Sequence, residues 1–220
     1  MIISHGRRYI FVHIPKTGGT SLARALEDRA MKDDLLVGDT PKALRRRQRL
    51  KNLHTRGRLW KHSTLADIDG ILQPVDIQEL FVFTLVRNPW DRVVSYYFWL
   101  RAQTFDHPDV HCAKRSDFQT FLADRGVQSR LSLSPARHYM TDYTGREHQA
   151  HYLRLEHLDV DAAPLWDHLG FRLEVPHDNR SDRPADHRTC YTQATQALVG
   201  RLCAEDIARF GYTFDTVGKP

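Results

Sequence analysis

Two short apolar runs, Tyr9-Ile10-Phe11-Val12-His13-Ile14 and Phe81-Val82-Phe83-Thr84-Leu85-Val86, constrain this chain more than any other feature. Strands that are apolar at nearly every position, rather than at alternate ones, need cover on both faces, as in the sheets of α/β proteins. Each run leads into a helix signal. Pro15 and a Gly-rich turn follow the first, and then Leu22, Ala25 and Leu26 recur at helical spacing with Thr20 or Gly19 as N-cap. After the second, Asn88 is a good N-cap, Pro89 occupies the first helical position and Asp91 puts negative charge in the first turn. Val93, Val94, Tyr97, Phe98 and Leu100 carry the apolar side of that helix.

The same pattern continues to the C-terminus. Ser116-Asp117-Phe118-Gln119 resembles a capping box, His151 to Leu155 reads as a third strand and Ala162 to Leu169 as a short helix. A last helix starts at Thr192 and stops near Gly211. The expectation is an α/β fold with a mostly parallel central sheet flanked by helices, in a single domain over residues 1–220. Residues 28–74 lack strong periodicity and carry Arg45-Arg46-Arg47, Arg49 and Lys51, which reads as a basic surface insertion or lid. That cluster has three readings: a solvated helix, a platform for an acidic glycan or other substrate, or a nucleic-acid patch. The last expects interleaved aromatic residues or a reading helix, and neither is evident.

A net charge of +5 and a pI near 9.2 favour an anionic partner without choosing one. Three cysteines, Cys112, Cys190 and Cys203, form no C-x-x-C pair, so a reducing compartment is expected. The N-terminal apolar run is interrupted by His5, Arg7 and Arg8, and no stretch approaches the roughly 20 apolar residues of a membrane span. These features suggest a cytoplasmic enzyme with no integral membrane segment. His107-Pro108-Asp109-Val110-His111-Cys112 has a proline inside it and no fourth ligand at standard spacing, so no metal is expected there.

The chemistry is concentrated in Pro15-Lys16-Thr17-Gly18-Gly19-Thr20-Ser21. A Gly-rich loop between a buried strand and a helix start converges backbone N–H groups on the positive end of a helix dipole, which makes an anion site. Lys16 adds a charge, Thr17, Thr20 and Ser21 add hydroxyls, and Gly18-Gly19 permits close backbone approach. In a Walker A motif the lysine follows the glycines; here Lys16 precedes them, so ATP and GTP are disfavoured.

The stretch His13 to Ser21 resembles the 5′-phosphosulfate loop of the sulfotransferase superfamily, in particular its carbohydrate-modifying branch, sulfotransferase family 2. Val86-Arg87-Asn88-Pro89-Trp90-Asp91-Arg92-Val93-Val94-Ser95-Tyr96-Tyr97 resembles its 3′-phosphate segment, R-N-P-x-x-R-x-x-S-x-Y. Leu153 to Leu158 is similar to its R-x-E-x-L stretch, Pro176-His177-Asp178-Asn179-Arg180-Ser181 to P-H-x-N-x-S, and Tyr191-Thr192 with Asp206 to Tyr212 to its closing helix. Pro135-Ala136-Arg137 departs from the Pro-Gln pair common in relatives.

The resemblance implies a P-loop-like fold and transfer of a sulfuryl group from 3′-phosphoadenosine 5′-phosphosulfate (PAPS) to a hydroxyl, of a carbohydrate or glycoconjugate, without metal or nucleic acid. Residues 16–21 would hold the donor's 5′ end, and Arg87 and Ser95 its 3′-phosphate. Lys61-His62-Ser63-Thr64 resembles K-H-x-T, which makes His62 the candidate base, with a solvated surface histidine as the alternative. Lys16 would neutralise charge on the leaving group. His13, at the end of a strand, suits a hydrogen-bonded core role better. The rival classes are a P-loop-type nucleotide kinase or NTPase and a non-catalytic nucleotide- or nucleic-acid-binding protein.

Overall fold

The structure, a computed structural model, describes residues 1–175 and 182–216. Five strands form one sheet: β1 (Ile2–Ser4), β2 (Tyr9–Val12), β3 (Leu35–Leu36), β4 (Phe81–Val86) and β5 (His151–Arg154), in the order β3-β1-β2-β4-β5. The two apolar runs lie side by side and parallel, from Tyr9 opposite Phe81 to Val12 opposite Thr84. On the other flank of β4, Phe83 to Val86 pair in parallel with His151 to Arg154. β1 is antiparallel to both β2 and β3, so every strand except β1 points the same way. All of β2 and the last five residues of β4 are buried, which is what their unbroken apolar sequence requires.

The chain groups into two compact units, Met1–Val86 with Ala136–Asp178, and Arg87–Pro135 with Asn179–Pro220. The first contains the whole sheet. Its core joins Tyr9, Phe11 and Phe83 of the sheet to Leu22 and Leu26 of helix α1 (Gly19–Asp28) and to Leu165 of the helix Ala163–Leu169. The 28–74 segment does more than cover a surface. It supplies edge strand β3, buries Leu36, Ala43, Leu65 and Ile68, includes α2 (Pro41–Arg46) and leads into α3 (Pro74–Gln78).

Helices build the second unit, and its core forms around Val94, Tyr97 and Leu100 of α4 (Pro89–Arg101), with Phe121, Val127 and Val199. Asn88 caps α4 as expected, its Oδ1 accepting from Trp90 N at 3.0 Å. It is fully buried, and its Nδ2 also donates to the carbonyls of Thr213 and Thr216 at 2.9 and 2.7 Å. Asp117, not Ser116, caps the helix Phe118–Ala123. The C-terminal helix starts after Thr192 but divides at Cys203 into Gln193–Leu202 and Ala204–Phe210, and it ends at Gly211 with φ 68°.

Asn88 therefore satisfies a helix end and two distant carbonyls at once. Asn88→Ala should cost about 2–4 kcal/mol. Asn88→Asp keeps the cap acceptor but sets a buried carboxylate oxygen against both carbonyls, and thermal denaturation should place it at or below the alanine variant.

Candidate active site

The loop after β2 is wound by two left-handed residues, Lys16 at φ 66° and Gly18 at φ 85°, with Thr17 between them at negative φ. Such alternation turns successive backbone N–H groups into a concavity suited to an anion. A lysine held in this conformation costs about 1–2 kcal/mol, a strain that recurs at binding sites. Gly18, rather than Thr20 or Gly19, is the N-cap of α1, and no side chain caps that end. The positive end of the helix dipole is thus presented by backbone alone.

Three loop residues also have tasks within the fold. The Thr17 hydroxyl donates to Ile14 O at 2.8 Å and is buried, so it closes the turn. Gly18 is required by its positive φ, and a Cβ there would also meet Leu155 Cδ1 at 2.9 Å. Gly19 makes room for a protein side chain: an added Cβ would lie 2.3 Å from His13 Cδ2 and 2.5 Å from Nε2. Ser21 is buried, whereas Lys16 and Thr20 are partly exposed.

His13 is a core residue, stacked on Phe11 at 5.8 Å, and burial pushes its imidazole well below the usual range. Its carbonyl accepts from His62 Nδ1 at 2.7 Å, and the two rings meet edge to face at 4.7 Å. A carbonyl can only accept, so Nδ1 of His62 carries the hydrogen and Nε2 holds the lone pair. Burial lowers the His62 pKa to about 4, opposed by the hydrogen bond to His13 O. His62 is therefore neutral at pH 7. Ser63, fully buried, ties down the turn that carries it, donating to the carbonyls of Arg58 and Trp60 at 2.9 and 2.8 Å and accepting from Trp60 N.

The far end of α1 is surrounded by cations. Lys42 donates to Glu27 O, Arg7 to Arg29 O at 3.3 Å, Arg46 to Met31 O at 2.7 Å and Arg49 to Lys32 O. Arg46 and Arg49, two members of the Arg45–Lys51 cluster, thus hold the turn that follows α1.

In the second unit, Arg87 follows β4 directly and binds Asp91 Oδ2 through Nε at 2.8 Å and Nη2 at 2.6 Å. Ser95 is buried one turn after Asp91 on the same face of α4, while Arg87 lies just before the Asn88 cap. Arg183, which no motif points to, donates from Nη1 to Asp91 Oδ1 at 2.6 Å. Burial raises the Asp91 pKa, but Arg87 and Arg183 outweigh it and hold the carboxyl below its ordinary value.

The family model described as "Sulfotransferase family" matches residues 1–212. The chain belongs to the sulfotransferase family. A search of curated proteins finds no match. Among solved structures, the crystal structure of mouse sulfotransferase SULT7A1 complexed with PAP is similar, at 14% identity and a TM-score of 0.44 over 93% of this chain and 85% of that one. This sulfotransferase has no helix among its described residues long and apolar enough to cross a membrane.

Pro176 to Ser181, the P-H-x-N-x-S stretch, lies outside the described residues. Among those described, no group of three or more His, Cys, Asp or Glu is placed to hold a metal ion. In the His107–Cys112 stretch, His107 Nδ1 accepts from Asp109 N as a helix cap, and His111 pairs with Asp106.

The folded pKa of His62 lies below its unfolded value near 6.5, so between about pH 4 and 6.5 the unfolded chain takes up the proton first. Stability from this residue is intact above pH 6.5 and falls by on the order of 3 kcal/mol as pH drops to 4. NMR titration of the imidazole should give a midpoint near 4, and His62→Gln should flatten the stability profile in that window. A midpoint near 6.5 would show a solvated histidine instead.

Proposed function

We propose that this sulfotransferase transfers the sulfuryl group of PAPS to a carbohydrate hydroxyl with His62 as base. The observation that carries the reading is the fixed tautomer of His62, whose Nδ1 hydrogen is committed to His13 O while Nε2 is left to accept a proton. As the acceptor oxygen attacks sulfur, its proton passes to Nε2. The bond between sulfur and the bridging phosphate oxygen breaks on the opposite side, and adenosine 3′,5′-bisphosphate leaves. The 16–21 loop holds the 5′-phosphate through backbone N–H groups, and Lys16 offsets the charge growing on the leaving oxygen. Arg87 and Ser95 bind the 3′-phosphate. No step calls for a metal.

A carbohydrate acceptor is supported by Trp60, which is 42% exposed with its ring 5.0 Å from that of His62 and Arg58 stacked at 5.5 Å. A flat, open aromatic surface beside the base suits the apolar face of a sugar, and Arg58 suits an acidic substituent. Engagement of Arg46 and Arg49 with backbone carbonyls speaks against a nucleic-acid patch. The family match runs through both compact units, which supports one sulfotransferase domain over 1–220. Cys112, Cys190 and Cys203 are free thiols, in keeping with the cytoplasm.

Adenosine 3′,5′-bisphosphate at about 100 times its dissociation constant should stabilise the protein by roughly 2.7 kcal/mol, a shift of about 5–10 °C. ATP should give little. The reverse order would support a kinase or NTPase and sink the donor assignment.

His62→Ala should keep that shift and lose transfer from labelled PAPS, whereas Trp60→Ala should raise the acceptor KM more than it lowers kcat. Normal turnover by His62→Ala would move the base elsewhere.

A further inference from the structure

Among the described residues of the sheet-bearing unit, Trp60 and Tyr143 are the exposed large aromatic side chains, at 42% and 39%, and each has an arginine stacked beside it. The Arg58 guanidinium lies 5.5 Å from the centre of the Trp60 ring, and that of Arg56 lies 5.2 Å from the centre of the Tyr143 ring. Both arginines come from a stretch in which exposure alternates: residues 54, 56, 58 and 60 are exposed, while 55, 57 and 59 are half-buried. Its inner side is pinned. Arg56 N donates to Asp69 O at 2.9 Å, Gly57 N to Asp67 O at 3.1 Å, and buried Ser63 to Arg58 O at 2.9 Å. Tyr143 sits on a turn closed by Asp142, whose Oδ1 accepts from Thr144 N and Oγ1 at 2.8 and 2.6 Å, and whose Oδ2 pairs with buried His148 at 2.6 Å. Leu65 N donates to Tyr139 O at 3.0 Å and joins the two segments. Among the described residues, neither Arg56 nor Arg58 meets a carboxylate, so the planar fork of each has an anion still to bind.

A flat ring with a guanidinium beside it matches a sugar that carries an acidic group, the apolar face of the sugar on the ring and the anion on the fork. One such pair is ordinary surface packing. A second, pinned to the same stretch, makes a repeat, and a repeat is what a chain of sugars presents. We infer that the acceptor is an acidic oligosaccharide, with Arg58 and Trp60, whose ring is 5.0 Å from that of His62, holding the sugar that reacts, and Arg56 and Tyr143 holding a neighbouring acidic sugar. Arg56 and Tyr143 set specificity and take no part in the transfer. This deepens the carbohydrate reading above and rests on it.

Transfer from labelled PAPS is measured with tetrasaccharides of alternating glucuronic acid and N-acetylglucosamine or N-acetylgalactosamine, with their carboxyl-reduced forms and with the matching disaccharides. Calorimetry in the presence of adenosine 3′,5′-bisphosphate gives binding without turnover. Wild type should show its lowest KM with an acidic tetrasaccharide, and shortening or carboxyl reduction should raise it about 10-fold. Arg56→Ala and Tyr143→Ala should each raise the tetrasaccharide KM about 10-fold, to the disaccharide value, with kcat within about twofold. Arg56→Lys keeps the charge without the fork and should fall between, and Tyr143→Phe should recover most of the loss; these two carry the comparison if the alanine variants do not fold. If the Arg56 and Tyr143 variants keep the wild-type preference for length and charge, or if wild type has no such preference, the pairs are surface packing and the inference is overturned. A wild type that neither binds nor sulfates any of these sugars, yet is still stabilised by adenosine 3′,5′-bisphosphate, overturns the carbohydrate reading and this inference with it, and leaves the donor assignment standing.

Discussion

The hydrogen bond from His62 to the His13 carbonyl ties the 28–74 segment to the end of β2, beside the glycine-rich loop. β2 ends at Val12, and the helix after it begins with a glycine, Gly19. With no side chain at Gly19, the His13 ring can lie across the start of α1, and the Thr17 hydroxyl closes the turn beneath it onto Ile14. The anion cradle and the proton acceptor are then parts of one rigid assembly, since the turn that carries His62 is itself locked by buried Ser63. If His62 is the proposed base, it is in place before substrate arrives.

The helical unit applies the same economy to a different problem. Asn88 uses both ends of its amide, capping α4 with the oxygen and tying residues 213 and 216 with the nitrogen. The next acidic residue, Asp91, then serves as an internal counter-ion that aligns guanidinium planes. In this motif the polar residues that touch no ligand are as constrained as those expected to.

Much of this was legible in the sequence where the signal is local. β2, β4 and the start of α4 follow from unbroken apolar runs and from Asn88-Pro89, because burial and capping act over a few neighbouring residues. β1 and β3 were not legible: strands of three and two residues are too short to show a period, and β3 owes its existence to pairing with β1. The Gly-Gly pair was read as clearance for a ligand, yet at Gly19 the clearance serves His13, a contact made by tertiary packing. His62 was reached by resemblance, and the reason for its tautomer lies 49 positions away in sequence. Arg183 lies 92 positions from Asp91, beyond any local pattern.

The ring of cations at the C-terminal end of α1 changes what the isoelectric point means. Lys42, Arg7, Arg46 and Arg49 each answer a backbone carbonyl near the end of the helix whose opposite end faces the anion loop. Each of these side chains has a hydrogen-bonding task within the fold, so its charge is not by itself the mark of a partner. Overall basicity and ligand preference are therefore separable in this architecture. A relative with an acidic surface elsewhere could keep the same oxyanion chemistry, and bulk charge would be a poor guide when searching sequences for others of its kind.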